Sequence, residues 1–74
     1  MNNVKDSVYI KKFGKNLKSL RNIYKISQEQ LAYMSDIPIS QIGRIERGEI
    51  NTTISTVNAI AKALNIETKN LFDF

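Results

Sequence analysis

The 74-residue chain has no cysteine and no histidine. Disulfide frameworks, thiolate or imidazole metal sites, and catalysis by a Cys or His nucleophile or base are thereby excluded, and no other acid–base grouping suggests an enzyme. Nor does any apolar run approach the roughly 18 residues of a membrane span, and the polar opening MNNVKDS lacks the apolar stretch of a secretory leader. The expectation is a cytoplasmic non-enzyme with no cofactor, no membrane partner and no small-molecule ligand. The length allows one domain with a small core, which an all-helical bundle with short loops stabilises without staples.

Charge is present in unequal shares. The net charge is +4, which favours an anionic partner. Residues 1–25 hold seven Lys or Arg against one Asp, a balance of +6, whereas residues 26–74 hold four against six acids, a balance of −2. The positive field therefore sits on the first part of the chain, where Lys11, Lys15 and Lys18 line one helix face. That row reads as a phosphate-facing flank or as a solvated face.

Periodicity and capping signals divide the chain into helices. Residues 1–7 read as a flexible arm and residues 8–74 as a single domain. From residue 8 to about 25, Ile10, Phe13, Leu17, Leu20 and Tyr24 recur at three and four, which predicts an amphipathic helix. Ser27 with Gln30 forms a capping-box signal, and Leu31, Ala32 and Met34 supply the apolar side of the helix it opens, with Tyr33 outward. The single proline, Pro38, disfavours helical geometry at Ile37 and suits a helix start. Residues 35–38 are thus a hinge, in which Asp36 tolerates left-handed backbone. Beyond it Ile42 and Ile45 face inward with Ile37, which leaves Ile39, Ser40, Gly43, Arg44 and Arg47 outward until Gly48 ends the helix. Thr53 then caps a helix over residues 54–64 with the stripe Val57, Ile60, Ala61 and Leu64, Asn65 takes its left-handed terminus, and Thr68 opens a last short helix. Two short helices joined by a tight turn, the second with a partly basic outer face, form a helix-turn-helix.

The ordered set Ser27-Gln28-Glu29, Leu31-Ala32, Ile42, Arg44-Ile45-Glu46-Arg47-Gly48, Ile54, Thr56-Val57, Ile60-Ala61 and Ala63-Leu64 resembles the Cro/repressor-type helix-turn-helix regulators of bacteria and phages. Phe13-Gly14, Leu17, Leu20 and Arg21 ahead of it fit the same pattern. Asp36 and Pro38 depart from it, standing where the family often has Gly and a hydroxyl cap. The resemblance implies an all-α, lambda-repressor-like compact bundle of about five helices whose second and third form the motif. It implies a sequence-specific regulator of transcription, a small stand-alone member such as a phage-type repressor or a restriction–modification controller. Such a protein binds double-stranded DNA with the recognition helix, about residues 38–47, in the major groove, and associates with the nucleoid when bound.

By carry-over along the motif, Ile39, Ser40, Gln41, Gly43 and Arg44 fall at base-reading positions. Gln28, Arg47, Asn51, Thr52 and Thr53 fall at phosphate positions, and Arg21 and Glu46 at those of a structural ion pair. Arg44 stands out, because its fork can take both O6 and N7 of a guanine. A C-terminal cluster of Leu71, Phe72 and Phe74 is more than a small core readily hides and is expected to form a homodimer interface on an inverted-repeat operator. The competing reading is an antitoxin-like helical module that binds a protein and only secondarily DNA.

Overall fold

The computed structural model describes residues 5–74. Four α-helices, α1 (Ser7–Ile23), α2 (Gln28–Ser35), α3 (Ile39–Glu46) and α4 (Ile54–Leu64), are followed by a 3-10 turn at Thr68–Phe72. The expected fifth helix is thus a 3-10 turn. Among the described residues there is no strand, and no helix is long and apolar enough to cross a membrane. Of the arm expected over residues 1–7, the first four lie outside the described residues. Asp6 and Ser7 are the cap and first residue of α1, with the Asp6 carboxylate accepting from the Tyr9 amide at 3.0 Å.

The other boundaries also have local causes. Helix α1 stops at Ile23, earlier than its apolar period suggests, because Lys25 turns to φ 58° and the Ile26 amide closes onto the Arg21 carbonyl at 2.9 Å. Tyr24 is consequently a half-exposed cap residue instead of a member of the buried stripe. Both capping-box bonds of α2 are made: the Gln30 amide donates to Ser27 Oγ at 3.0 Å, and the Ser27 amide to Gln30 Oε1 at 2.8 Å. Asp36 at φ 60° ends α2, and Pro38 at φ −55° leads into α3 with no side-chain cap. Thr53 caps α4 by accepting from the Thr56 amide at 3.2 Å, and Asn65 closes it at φ 57°.

Phe13 and Leu17 of α1, Leu31 of α2, Ile42 and Ile45 of α3, and Val57, Ile60, Ala61 and Leu64 of α4 meet in one core with Ile37 and Leu71. Met34 stays outside it, half exposed, contrary to the expected apolar side of α2. The inward row of that helix runs through Gln28, Leu31, Ala32 and Ser35, and Ser35 folds its hydroxyl back onto the Leu31 carbonyl at 2.6 Å. Tyr33 is almost fully exposed. Helix α3 therefore lies on the bundle with α1 and α2 behind it and one long face open.

Candidate nucleic-acid interface

A single carboxylate fixes α3 to the two helices behind it. Arg21 of α1 donates through Nε to Glu46 Oε2 at 2.6 Å and through Nη2 to Oε1 at 2.9 Å, while its Nη1 reaches the Ile26 carbonyl at 3.0 Å. Both side chains are buried. The hydrogen bond to Glu46 raises the Arg21 pKa above its ordinary value, so the guanidinium stays charged. Gln28, at the start of α2, adds a third anchor by donating from Nε2 to Glu46 Oε1 at 2.9 Å. Its carboxamide nitrogen thereby gives one of its two N–H groups to the ion pair, a role additional to the phosphate contact expected for it. Helices α1 and α3 come this close because residue 14 is Gly: a Cβ there would stand 2.6 Å from the Glu46 carbonyl oxygen.

The open face of α3 carries Ser40, Arg44 and Arg47, with half-exposed Ile39 at its N-terminal end and Gln41 half-buried at its margin. Gly43 differs from the expectation of an outward position. It is buried, because the Arg47 guanidinium folds across it; a Cβ at residue 43 would stand 2.9 Å from Arg47 Nη1. The glycine makes room for the arginine.

Past α3 the chain reverses in a Schellman turn. Gly48 adopts φ 72°, its amide donates to the Ile45 carbonyl at 3.0 Å, and the Glu49 amide donates to the Arg44 carbonyl at 2.9 Å. A side chain at residue 48 is excluded twice, by that φ and by the Lys11 Cα, which would lie 2.8 Å from a Cβ. The reversal sets the Glu49 carboxylate beside both arginines of the open face. Arg47 Nε donates to Oε2 at 2.7 Å and Arg47 Nη2 to Oε1 at 3.4 Å, and Arg44 Nε lies 3.9 Å from Oε1. The Arg47 hydrogen bond holds the Glu49 carboxyl below its ordinary 4.5 and raises Arg47 above its own ordinary value. The carboxylate is accordingly ionised, and its pairing with Arg47 kept, until pH falls through that lowered value. Sequence reasoning did not single out Glu49. The available signal was an acid just past a C-terminal glycine, two residues beyond Arg47, where helical spacing no longer tells which side chains meet.

The flanks differ from the expectation in detail. Thr52 turns its hydroxyl inward, where the buried oxygen meets no hydrogen-bond partner among the described residues, so that hydroxyl does not face a phosphate. The Thr53 hydroxyl is taken up by the cap of α4 and also donates to Thr56 Oγ1 at 3.0 Å. Asn51 is exposed between α3 and α4. Lys11, Lys15 and Lys18 are all exposed on α1.

The three residues expected at a dimer interface separate. Leu71 is fully buried, because Asn16 Nδ2 donates to the Asn70 and Leu71 carbonyls at 3.0 and 2.9 Å and seats the 3-10 turn on α1. Its side chain is core and unavailable to a partner. Phe72 is 40 % exposed with its ring 5.0 Å from that of Phe13, and Phe74 is 48 % exposed, edge-on to Tyr9 at 5.1 Å. Ile54 at the start of α4 is 89 % exposed and lines, with Tyr9, Ile50 and Phe72, a shallow apolar groove.

A sequence model of the Helix-turn-helix family (HTH_3) matches residues 17–71. The chain is 47 % identical over 58 residues to the control protein C.SmaI of Serratia marcescens, covering 78 % of this chain and 69 % of that protein. It is 36 % identical over 63 residues to the control protein C.BamHI of Bacillus amyloliquefaciens, covering 84 % and 78 % of the two chains. Among solved structures it is similar to the restriction–modification controller protein C.AhdI of Aeromonas hydrophila, with a TM-score of 0.84 and 40 % identity over 85 % of this chain and 96 % of that one.

Proposed function

The chain belongs to the helix-turn-helix family of DNA-binding transcriptional regulators, and from that premise we propose that it is a restriction–modification controller that reads an inverted-repeat operator as a homodimer. The observation that carries the reading is the open face of α3. Ser40, Arg44 and Arg47 project from a helix whose opposite side is core and whose C-terminal end is pinned by the Arg21–Glu46 pair. A rigid helix with a basic outer face fits the major groove.

Within that reading, Arg44 forks onto a guanine and Ile39 packs on a thymine methyl, while Ser40 bonds either way and Gln41 contributes at the edge. Gly43 serves indirectly, by leaving the room in which Arg47 lies across the helix. Arg47, Asn51 and the amides of the loop before α4 take phosphates, as do the free amides at the N-terminus of α2 beside Gln28. Thr52 and Thr53 serve there through their backbone. So small a polar set supports modest direct readout, with DNA shape supplying the remainder.

Two copies meet through the groove edged by Ile54 and Phe72, with Phe74 and Tyr9 beside it. An exposed apolar patch of this kind marks an interface, and a two-fold dimer sets its recognition helices about 34 Å apart, one turn of DNA. Selection of binding sites from random duplex DNA at near-physiological salt tests the whole reading. The expected result is an enriched inverted repeat with half-site centres one turn apart; folded protein that enriches nothing would overturn it.

A further inference from the structure

Glu49 is an acid on a face otherwise suited to an anion. Gly48 in the left-handed region and the bond from the Glu49 amide to the Arg44 carbonyl turn the chain so that the Glu49 side chain lies beside both arginines. Its two oxygens are shared between two arginines. Arg47 meets both of them, at 2.7 and 3.4 Å, and its guanidinium lies over the space that Gly43 leaves open. Arg44 turns its Nε edge toward Oε1 at 3.9 Å, an ion-pair distance rather than a hydrogen bond. The edge made by its two terminal nitrogens is a different edge of the planar group, the one that forks onto guanine O6 and N7.

We propose that Glu49 is a specificity-determining positioning residue, which orients Arg44 for base recognition and weakens the phosphate contact that Arg47 makes on any duplex. The inference rests on α3 being the DNA-reading helix. Its physical content is that the carboxylate acts differently on two kinds of duplex. On any DNA, a negative charge at the interface opposes the phosphates and occupies an arginine that would otherwise release a counterion. On the operator alone, the same carboxylate limits the rotamers of Arg44 and so lowers the entropy lost when it forks onto its base. Non-operator binding is therefore penalised, while operator binding is penalised and assisted together. The ratio of the two is what Glu49 raises.

The test uses the duplex selected from random DNA and a scrambled duplex of equal length and composition, with affinities measured across a salt series for wild type and Glu49→Gln. Glutamine keeps the shape and removes the charge, and the site is exposed, so thermal unfolding is expected to stay at the wild-type temperature. For Glu49→Gln, non-operator affinity should rise about fivefold with a steeper salt slope, operator affinity should stay level or fall, and the specificity ratio should drop about fivefold. A ratio that holds steady, whether both affinities rise together or neither moves, overturns the proposal, as does a ratio that increases. In an Arg44→Ala background the glutamine substitution should raise both affinities alike, and a ratio that still falls there contradicts action through Arg44. Failure of the underlying DNA reading looks different: wild type itself would then prefer no sequence.

Discussion

At the scale of single residues, Arg21 and Glu46 show how little of an interaction's importance lies in its net energy. A buried ion pair roughly offsets its own desolvation, yet removal of one partner strands a buried charge. Arg21→Ala should therefore destabilise the protein by about 3 kcal/mol or more, lowering the melting temperature by at least about 10 °C for a domain of this size. Replacing both residues with apolar side chains of similar volume, Arg21→Met with Glu46→Leu, should restore most of that loss. Thermal unfolding followed by circular dichroism measures both, and an unchanged melting temperature in Arg21→Ala would contradict the account. These two residues are nameable from sequence because each sits late in a helix at a family-matched position. Gln28 joins them for a reason the sequence does not display: the side chain at the start of α2 faces the gap between two other helices. Glu49 is hidden for the same kind of reason, since Gly48 ends the helical spacing just before it.

At the scale of elements, legibility follows the capping chemistry. Helices α2 and α4 begin and end where Ser27, Asp36, Thr53 and Asn65 suggest, because each of those side chains either satisfies a helix terminus or tolerates left-handed backbone. The end of α1 carries no such signal: Lys25 takes the left-handed position that Gly or Asn would advertise. On α2, apolar identity at Met34 is misleading beside Ser35, which lies on the inward row and satisfies its own hydroxyl. The packing of α1 on α3 depends on Gly14, whose missing side chain gives space to the Ile45 and Glu46 carbonyls. Because those neighbours are backbone and cannot rotate away, Gly14→Ala should force the helices apart at a cost of about 1–3 kcal/mol. It should also weaken operator binding more than the lost stability explains, since the angle of α3 changes. Wild-type melting temperature and wild-type affinity together in Gly14→Ala would refute this.

At the scale of the whole molecule, the C-terminal apolar cluster divides between inside and outside. Leu71 completes the core, and only Phe72 and Phe74 keep surface, beside Tyr9 and the nearly bare Ile54. Sequence alone marks the cluster as unusual without telling which member is buried, because Leu71 and Phe72, adjacent in a helix of about three residues per turn, point in different directions and Phe74 follows beyond its end. Ile54 makes the cleaner probe of self-association, since Phe72 also packs on Phe13. Ile54→Asp places an acid in the first turn of α4, where it suits the helix dipole, so folding should be unaffected. Sedimentation should then show the dimer replaced by monomer, and operator affinity should fall with it. A profile identical to wild type would remove this face from the interface.

Base reading by α3 is probed by substituting Arg44 and measuring binding on the selected operator. Affinities of wild type and Arg44→Ala are to be measured against the operator and against each single base-pair change in one half-site. Loss of preference at one guanine-bearing position of the half-site, worth about 1–3 kcal/mol, with the salt slope nearly unchanged, is the predicted result. Uniform weakening on every duplex with a shallower salt slope would mean that Arg44 only holds phosphates, and would contradict base reading by this helix.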